Sequence, residues 1–118
     1  MILQNPEVQM RDNIKGKALT ETTFYVLLSV FTPRHGYAMM QFIEQETAGR
    51  LSLGAGTLYG AINALLKKGW MEPYGAEDGR KKEYVITEAG RKAAEGERER
   101  LKRLLCTADT IIGGVEHE

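Results

Sequence analysis

Residue types that perform covalent chemistry or bind metals are few and scattered in this chain of 118 residues. Cys106 is the one cysteine, and His35 follows a proline turn, where it fits a helix-end contact better than a catalytic base. No histidine or cysteine pair has metal-site spacing. Glu95, Glu97 and Glu99 lie in a charged helical stretch, where we expect them to be exposed. Because no nucleophile has a base and no phosphate loop is present, we expect no enzyme, cofactor or metal.

The most informative segment, residues 56–70, has the pattern of a helix with two different faces. At about 100° per residue its apolar side chains share one face. That face consists of Leu58, Ala61, Ile62, Leu65 and Leu66. The opposite side, here called the small-residue face, consists of Gly56, Gly60, Asn63, Ala64 and Lys67. Exposed helix glycines cost about 1 kcal/mol each, and glycine suits a close backbone approach. Since a DNA major groove admits a helix, the pattern predicts a DNA-binding helix.

Five residues of this helix are candidate DNA contacts. Thr57 lies where N-terminal amides can meet a phosphate. Tyr59, on the flank of the helix, suits a phosphate contact, and Asn63 can pair with adenine through two hydrogen bonds. Gly60 and Lys67 complete the set. The alternative is that these positions are ordinary exposed residues and that Tyr59 packs partly on the core.

Basic residues supply a second group of candidate DNA contacts. Asp78-Gly79 is a hairpin-tip signal, and the residues after it would form a basic wing on the DNA backbone. Two lysines before the next predicted helix could also reach phosphates. These candidates are Arg80, Lys81, Lys82, Lys15 and Lys17. The alternative is a solvated basic turn balanced by acids. The net charge of zero argues weakly against DNA binding, but local clustering determines the electrostatic footprint.

The order of predicted elements is that of a winged helix-turn-helix, an α+β fold that is mostly helical. An Asn-Pro-Glu start predicts a first helix, and Thr20 is the predicted N-cap of the second, which should carry Phe31 on its apolar face. The predicted elements are helices over residues 5–14, 20–31, 37–47 and 56–68, a short strand at 51–53, and strands at 70–72 and 83–86. Tyr37 and Met39 should lie on the buried side of the third helix.

A long helix is predicted after Thr87, its N-cap. Its apolar residues recur at alternating three- and four-residue steps, which is typical of a coiled-coil interface. We therefore expect dimerisation through Leu101, Leu104, Leu105, Ala108, Ile111, Ile112 and Val115. Cys106, beside this strip, should be a buried structural thiol, with a redox switch as the alternative. Trp70 should pack in the core, with ligand stacking as the alternative.

Length and composition bound the class of protein. No apolar run approaches the ~20 residues of a membrane span, and no signal peptide is visible. One cysteine fits a reducing compartment, so we expect a cytoplasmic protein with no membrane partner. A domain this small gains stability from dimerisation. We expect an N-terminal helix or arm at 1–18, a DNA-binding domain at 19–87 and a dimerisation helix at 88–118.

Four short motifs in order carry a resemblance to a family. They are His35-Gly36-Tyr37, Gly56-Thr57-Leu58-Tyr59, Gly79-Arg80, and Tyr84 with Ile86-Thr87-Glu88-Ala89-Gly90-Arg91. Residues 19–91 thereby resemble the PadR family of bacterial transcriptional regulators. The chain departs from the family pattern at Gly60, where proline is usual, at Gly54, where a capping serine is common, and at Glu83, where an aromatic is usual.

The resemblance implies a homodimeric winged-helix repressor of the type with a short C-terminal region. Its partner would be double-stranded DNA carrying an inverted repeat. Family members often respond to small aromatic or drug-like molecules, so Trp70 is the candidate residue of an effector pocket. An alternative function is a winged-helix module for protein–protein contacts without DNA binding, which the neutral net charge slightly favours.

Overall fold

A computed structural model describes residues 18–75 and 82–114. The elements in this part of the chain are α1 (Glu21–Ser29), β1 (Arg34–His35), α2 (Gly36–Glu46), α3 (Ala55–Lys68), β2 (Met71–Tyr74), β3 (Glu83–Ile86) and α4 (Glu88–Gly114). The chain divides into one compact unit of Thr20–Ala94 and a second that includes the remainder of α4 from Glu95. The predicted first helix, the hairpin tip at Asp78-Gly79 and Val115 lie outside the described residues.

Helix α1 begins where its cap predicts and ends earlier than expected. Thr20 is the N-cap, and its hydroxyl accepts a hydrogen bond from the Thr23 amide. After Ser29 the next two amides bond to carbonyls three residues back, which ends the helix in a tight turn. Phe31 therefore lies beyond the helix and is 37% exposed, contrary to its predicted place on the apolar face.

The sheet contains a strand that the sequence pattern does not indicate. β1 pairs with β3, which also pairs with β2, so the order is β1-β3-β2 and both pairings are antiparallel. β1 is only two residues long, too short to show an alternating pattern. The prediction of a strand at residues 51–53 is wrong, because these residues form no strand. There the Leu51 amide donates to the Thr47 hydroxyl, a local bond that takes the place of a strand pairing.

Helix α2 begins directly after β1. His35 is its N-cap, and the Nδ1 atom accepts a hydrogen bond from the Ala38 amide at 3.3 Å. The interpretation of His35 as a helix-end contact is therefore confirmed. Met39 and Ile43 are fully buried, whereas Tyr37 is 57% exposed and does not belong to the buried face. Its place in the first turn of α2 leaves it at the edge of the core.

Helix α3 matches its predicted bounds to within one residue. Gly54 is the N-cap and supplies no side-chain hydrogen bond, while Gly69 ends the helix in the left-handed conformation, with φ of 75°. A residue with a Cβ would be strained there, so glycine suits this end. The buried residues of α3 are Leu58, Ala61, Ile62 and Leu65. Their burial fixes which face of the helix remains outside.

The two strands after α3 form a hairpin arm. β3 has the predicted bounds, whereas β2 begins at Met71 rather than Trp70. Met71 is 2% exposed and belongs to the core. Trp70 is half-buried, and the Lys68 ammonium lies 5.1 Å from the centre of its ring. Trp70 is therefore at the core margin rather than inside it.

Helix α4 is tied to the end of α3 through Thr87. The Thr87 hydroxyl accepts from the Gly90 amide at 3.0 Å and donates to the Gly69 carbonyl at 2.6 Å. The Thr87 amide donates to the Trp70 carbonyl at 3.0 Å. Gly90 lies against that same carbonyl, too close for any residue with a Cβ. The start of α4 and the end of α3 are thus one packed junction.

One expectation for α4, the exposure of Glu97, is wrong. Glu97 is 3% exposed and accepts two hydrogen bonds from the Arg100 guanidinium, at 2.9 and 2.6 Å. A buried carboxylate needs such a cation, which lies one helical turn away. Cys106 is exposed in the single chain, and its burial beside the dimer strip stays a prediction. Within the described ranges, no helix has the length and hydropathy for crossing a membrane.

Candidate nucleic-acid interface

The small-residue face of α3 is exposed along its whole length. All five of its residues, Gly56, Gly60, Asn63, Ala64 and Lys67, are exposed. A Cβ atom added at Gly56 or Gly60 would have no neighbouring element of the described chain within 4 Å. The α3 backbone is therefore open to a partner on this side, while the opposite side is fixed in the core.

The direction of α3 is set by bonds at its C-terminal end as well as by its buried face. The amides of Gly69 and Trp70 donate to the carbonyls of Leu66 and Leu65, each at 3.0 Å. This is the hydrogen-bond pattern of a glycine-terminated helix. Thr87 then joins that end to α4. A side chain on α3 is consequently presented from a well-supported element.

Tyr59 combines the two alternatives that its sequence left open. It is 47% exposed, and its ring packs against Gly36 at the start of α2. Thr57 and Asn63 are exposed, as their assignment as DNA contacts requires. Exposure places these side chains within reach of a partner and does not identify that partner.

Tyr59 also borders a cavity of about 340 Å³. The cavity, here called the tyrosine cavity, lies where the start of α2, the helix α3 and the strand β3 meet. Its lining consists of His35, Gly36, Tyr37, Tyr59, Lys82 and Tyr84. Sequence reasoning did not connect these residues. The nearest signal was the His35-Gly36-Tyr37 motif, and its proximity to Tyr59 depends on tertiary packing.

Basic side chains of the described chain lie on the small-residue face or near it. Lys67 and Lys68 end α3, and Lys82 precedes β3; all three are exposed. Arg80, Lys81, Lys15 and Lys17 lie outside the described residues. Their proposed contacts rest on the sequence alone.

Arg50 forms an exposed ion pair with Glu21 at the start of α1. The hydrogen bond from Arg50 is the main cause that lowers the pKa of the Glu21 carboxyl, with the guanidinium charge adding to it and desolvation opposing it. Because Arg50 already has an acidic partner, it adds less positive field to the α3 region than the lysines do.

The distal part of α4 carries an exposed apolar strip. Its large members are Leu101, Leu104, Leu105, Ile111 and Ile112, exposed by 38, 56, 61, 66 and 73%, and Ala108 lies among them. A shallow groove beside the strip is lined by Lys102, Leu105, Cys106, Asp109, Thr110 and Gly114. Exposed leucines and isoleucines in one row mark a surface suited to association.

Three helices and a small three-stranded antiparallel sheet, with α3 exposed along one side, define a winged helix-turn-helix protein. A family model described as the Transcriptional regulator PadR-like family matches residues 12–96. The chain belongs to this family of transcriptional regulators.

A known protein is similar to part of this chain. The chain is 42% identical over 72 residues to an uncharacterized 37.1 kDa protein in transposon TN4556 of Streptomyces fradiae. The match covers 61% of this chain and 20% of that protein, so the chain spans about a fifth of the length of this relative.

Solved structures show the same fold. A transcriptional regulator from Clostridium thermocellum superposes with a TM-score of 0.65 at 21% identity, covering 91% of this chain and 97% of that one. Bacillus subtilis PadR in complex with operator DNA superposes with a TM-score of 0.56 at 16% identity, covering 64% and 45%. At these identities the likeness is one of fold.

Proposed function

We propose that this protein is a homodimeric repressor that binds an inverted-repeat operator in double-stranded DNA. The observation that carries the proposal is the exposed small-residue face of α3, whose opposite face is held in the core. In the helix-turn-helix geometry the corresponding helix lies in a major groove. Bacillus subtilis PadR, which has the same fold, has been solved in complex with operator DNA, and this supports DNA as the partner.

The contacts assigned to α3 follow the position of each residue on the helix, and those assigned to the wing and the N-terminal arm follow the sequence. Asn63 reads a base, Gly60 permits close approach, and Thr57, Tyr59 and Lys67 contact the backbone. The wing contributes Arg80, Lys81 and Lys82, and the N-terminal arm contributes Lys15 and Lys17. Phosphate contacts set register and affinity, whereas base contacts set sequence preference.

Dimerisation is assigned to the apolar strip of α4, together with Val115. Two protomers then present two α3 helices to half-sites about one helical turn apart. As expected from the sequence, residues 1–18 are assigned as an N-terminal helix or arm, 19–87 as the DNA-binding domain and 88–118 as the dimerisation helix. Repression follows from occlusion of the promoter, in the cytoplasm, without cofactor or metal.

Effector release is the remaining part of the proposal. Trp70 is half-buried at the junction of α3 and α4, where a small aromatic or drug-like molecule stacking on its ring would disturb the direction of α3. Such a ligand lowers operator affinity. Trp70→Phe, which retains an aromatic ring, should keep operator binding and weaken the ligand response.

The test of the DNA assignment compares two lysines with the same charge. Binding to the protein's own promoter fragment is measured by fluorescence anisotropy over a range of salt concentrations. Lys67→Ala should weaken binding and flatten the salt slope by about one, because one phosphate contact is lost. Lys92→Ala, at an exposed site on α4, should leave the slope unchanged. Equal slopes for both variants would remove Lys67 from the interface.

The second candidate is a winged-helix module for protein–protein contacts. Its support is the formal net charge of zero. A heparin column and a salt titration with random DNA separate the two candidates. Retention on heparin and salt-dependent DNA binding support the repressor, whereas a dimer with neither property supports the interaction module.

A further inference from the structure

We propose that the tyrosine cavity receives one phosphate group of the DNA backbone, with the hydroxyls of Tyr37 and Tyr59 and the ammonium of Lys82 as its donors. This inference rests on the proposed function, because it assumes that α3 faces DNA. It adds residues that the interface had not included and joins separate contacts into one site.

The groups that line the cavity are those that bind an anion. Tyr37, Tyr59 and Tyr84 carry phenol hydroxyls, Lys82 carries an ammonium, and no carboxylate is among the lining residues that the structure describes. Tyrosine hydroxyls and lysine ammonium groups are common donors to DNA phosphates. A cavity whose described lining has several donors and no carboxylate is suited to a phosphate.

His35 adds a donor through its own hydrogen bond. Its Nδ1 atom accepts from the Ala38 amide at 3.3 Å. A neutral imidazole has one acceptor and one donor nitrogen, so the proton lies on Nε2. His35 thus caps α2 with one nitrogen and has an N–H on the other.

Gly36 sets the position of Tyr59 in the cavity. A Cβ atom at Gly36 would lie 2.9 Å from the Tyr59 Cζ atom, and nearer still to the hydroxyl oxygen. It would also lie 3.3 Å from the Leu58 Cδ2 atom. The Tyr59 ring can therefore lie against α2 only because residue 36 is glycine, and Gly36→Ala would displace its hydroxyl.

The place and the size of the cavity fit a backbone phosphate. Tyr59 directly precedes Gly60 on the small-residue face, so the cavity opens beside the part of α3 assigned to the groove. Its 340 Å³ is roughly ten times the ~30 Å³ that a water molecule occupies. That volume admits a phosphate with part of the adjoining sugar. Tyr37 and Tyr59 are 57% and 47% exposed, so both side chains are partly accessible to a ligand.

The test neutralises operator phosphates one at a time as methylphosphonates and measures affinity for wild type and variants. Wild type should lose about tenfold at one phosphate in each half-site, equivalent to about 1.4 kcal/mol. In the Tyr37→Phe, Tyr59→Phe and Lys82→Ala variants, the methylphosphonate at this phosphate should lower operator affinity by less than about threefold, because each variant lacks part of the site. Gly36→Ala should behave likewise although it removes no polar group. Circular dichroism verifies that each variant is folded.

Tyr74→Phe is the matched control. Tyr74 is 51% exposed on β2 and does not line the cavity, so this variant should retain the full wild-type sensitivity at the same phosphate. If the affinity losses caused by the amino-acid substitution and by the methylphosphonate are additive for every variant at every phosphate, the inference is overturned. The repressor assignment is then unaffected. Saturable binding of inorganic phosphate that Tyr37→Phe abolishes, without coupling to any operator phosphate, would also overturn it. A wild-type protein that does not bind operator at all would instead refute the proposed function.

Discussion

At Gly60, adding a side chain should stabilise the fold and weaken DNA binding. It lies inside α3 with open space where a side chain would be. Gly60→Ala should raise the free energy of unfolding by about 1 kcal/mol, since alanine is the better helix former. The added methyl group should weaken operator binding, because it occupies space assigned to DNA. Thermal unfolding and operator titration measure the two effects.

Gly96→Ala is the control for this prediction. Gly96 is an exposed glycine of α4, and a Cβ there would also be free of described neighbours. It should gain similar stability with unchanged DNA affinity. An operator affinity of Gly60→Ala equal to that of wild type would contradict the close approach assigned to α3.

The Glu21–Arg50 pair predicts a small pH dependence. The folded-state pKa of Glu21 lies below its usual 4.5. The ion pair's contribution to the free energy of unfolding is therefore present above pH 4.5 and is lost as the pH falls through the lowered pKa. Glu21→Gln should therefore be less stable than wild type near neutral pH, with the difference vanishing in acid. The effect should be small and weakened by salt, because both side chains are exposed. Urea unfolding over a pH series measures it, with Glu88→Gln as a first-turn control.

Residues with local partners were predictable from the sequence, and residues with distant partners were not. The caps formed by Thr20, His35 and Thr87 need only the next turn of helix, and the structure confirms all three. Periodicity alone placed Glu97 outside and Cys106 inside. The placement of Glu97 is wrong, since burial depends on what packs against each side of a helix. Cys106 is exposed in the single chain, and only a dimer could bury it.

At the scale of elements, the junction between α3 and α4 is the most constrained feature. A Cβ at Gly90 would meet the Trp70 carbonyl, which is backbone, and would lie 2.7 Å from the Ile86 Cγ1 atom. Gly90→Ala should therefore destabilise the protein by about 1–3 kcal/mol, the usual cost of overpacking. Gly96→Ala, in the same helix, should instead raise the free energy of unfolding. Chemical denaturation of both variants checks the pair, and stabilisation by Gly90→Ala would show that the junction is loose.

An element can be predicted from the sequence when the pattern that determines it lies within its own residues. The buried and exposed faces of α3 span several turns, so its bounds were predicted to within one residue. β1 has two residues and exists because β3 pairs with it, and that pairing is non-local. The tyrosine cavity has the same origin, since three elements must meet before its residues become neighbours.

At the scale of the whole molecule, the apolar strip of α4 predicts the oligomeric state. Ile112 is 73% exposed in the single chain, so Ile112→Lys should leave the fold intact while converting dimer to monomer. Operator affinity should fall with it, because two linked half-site contacts become one. Sedimentation velocity measures the association. Arg103→Gln, at an exposed charged site of α4, is the control, and an unchanged dimer in Ile112→Lys would remove the strip from the interface.

The most direct measurement of the central claim is the affinity of the wild-type protein for its own promoter fragment against random DNA, across a salt series. A repressor with α3 in the groove should prefer the promoter fragment by roughly a thousandfold or more. The logarithm of each affinity should fall linearly with the logarithm of salt concentration, as phosphate contacts require. Equal affinity for the two DNAs, or no binding at low salt, would contradict the account.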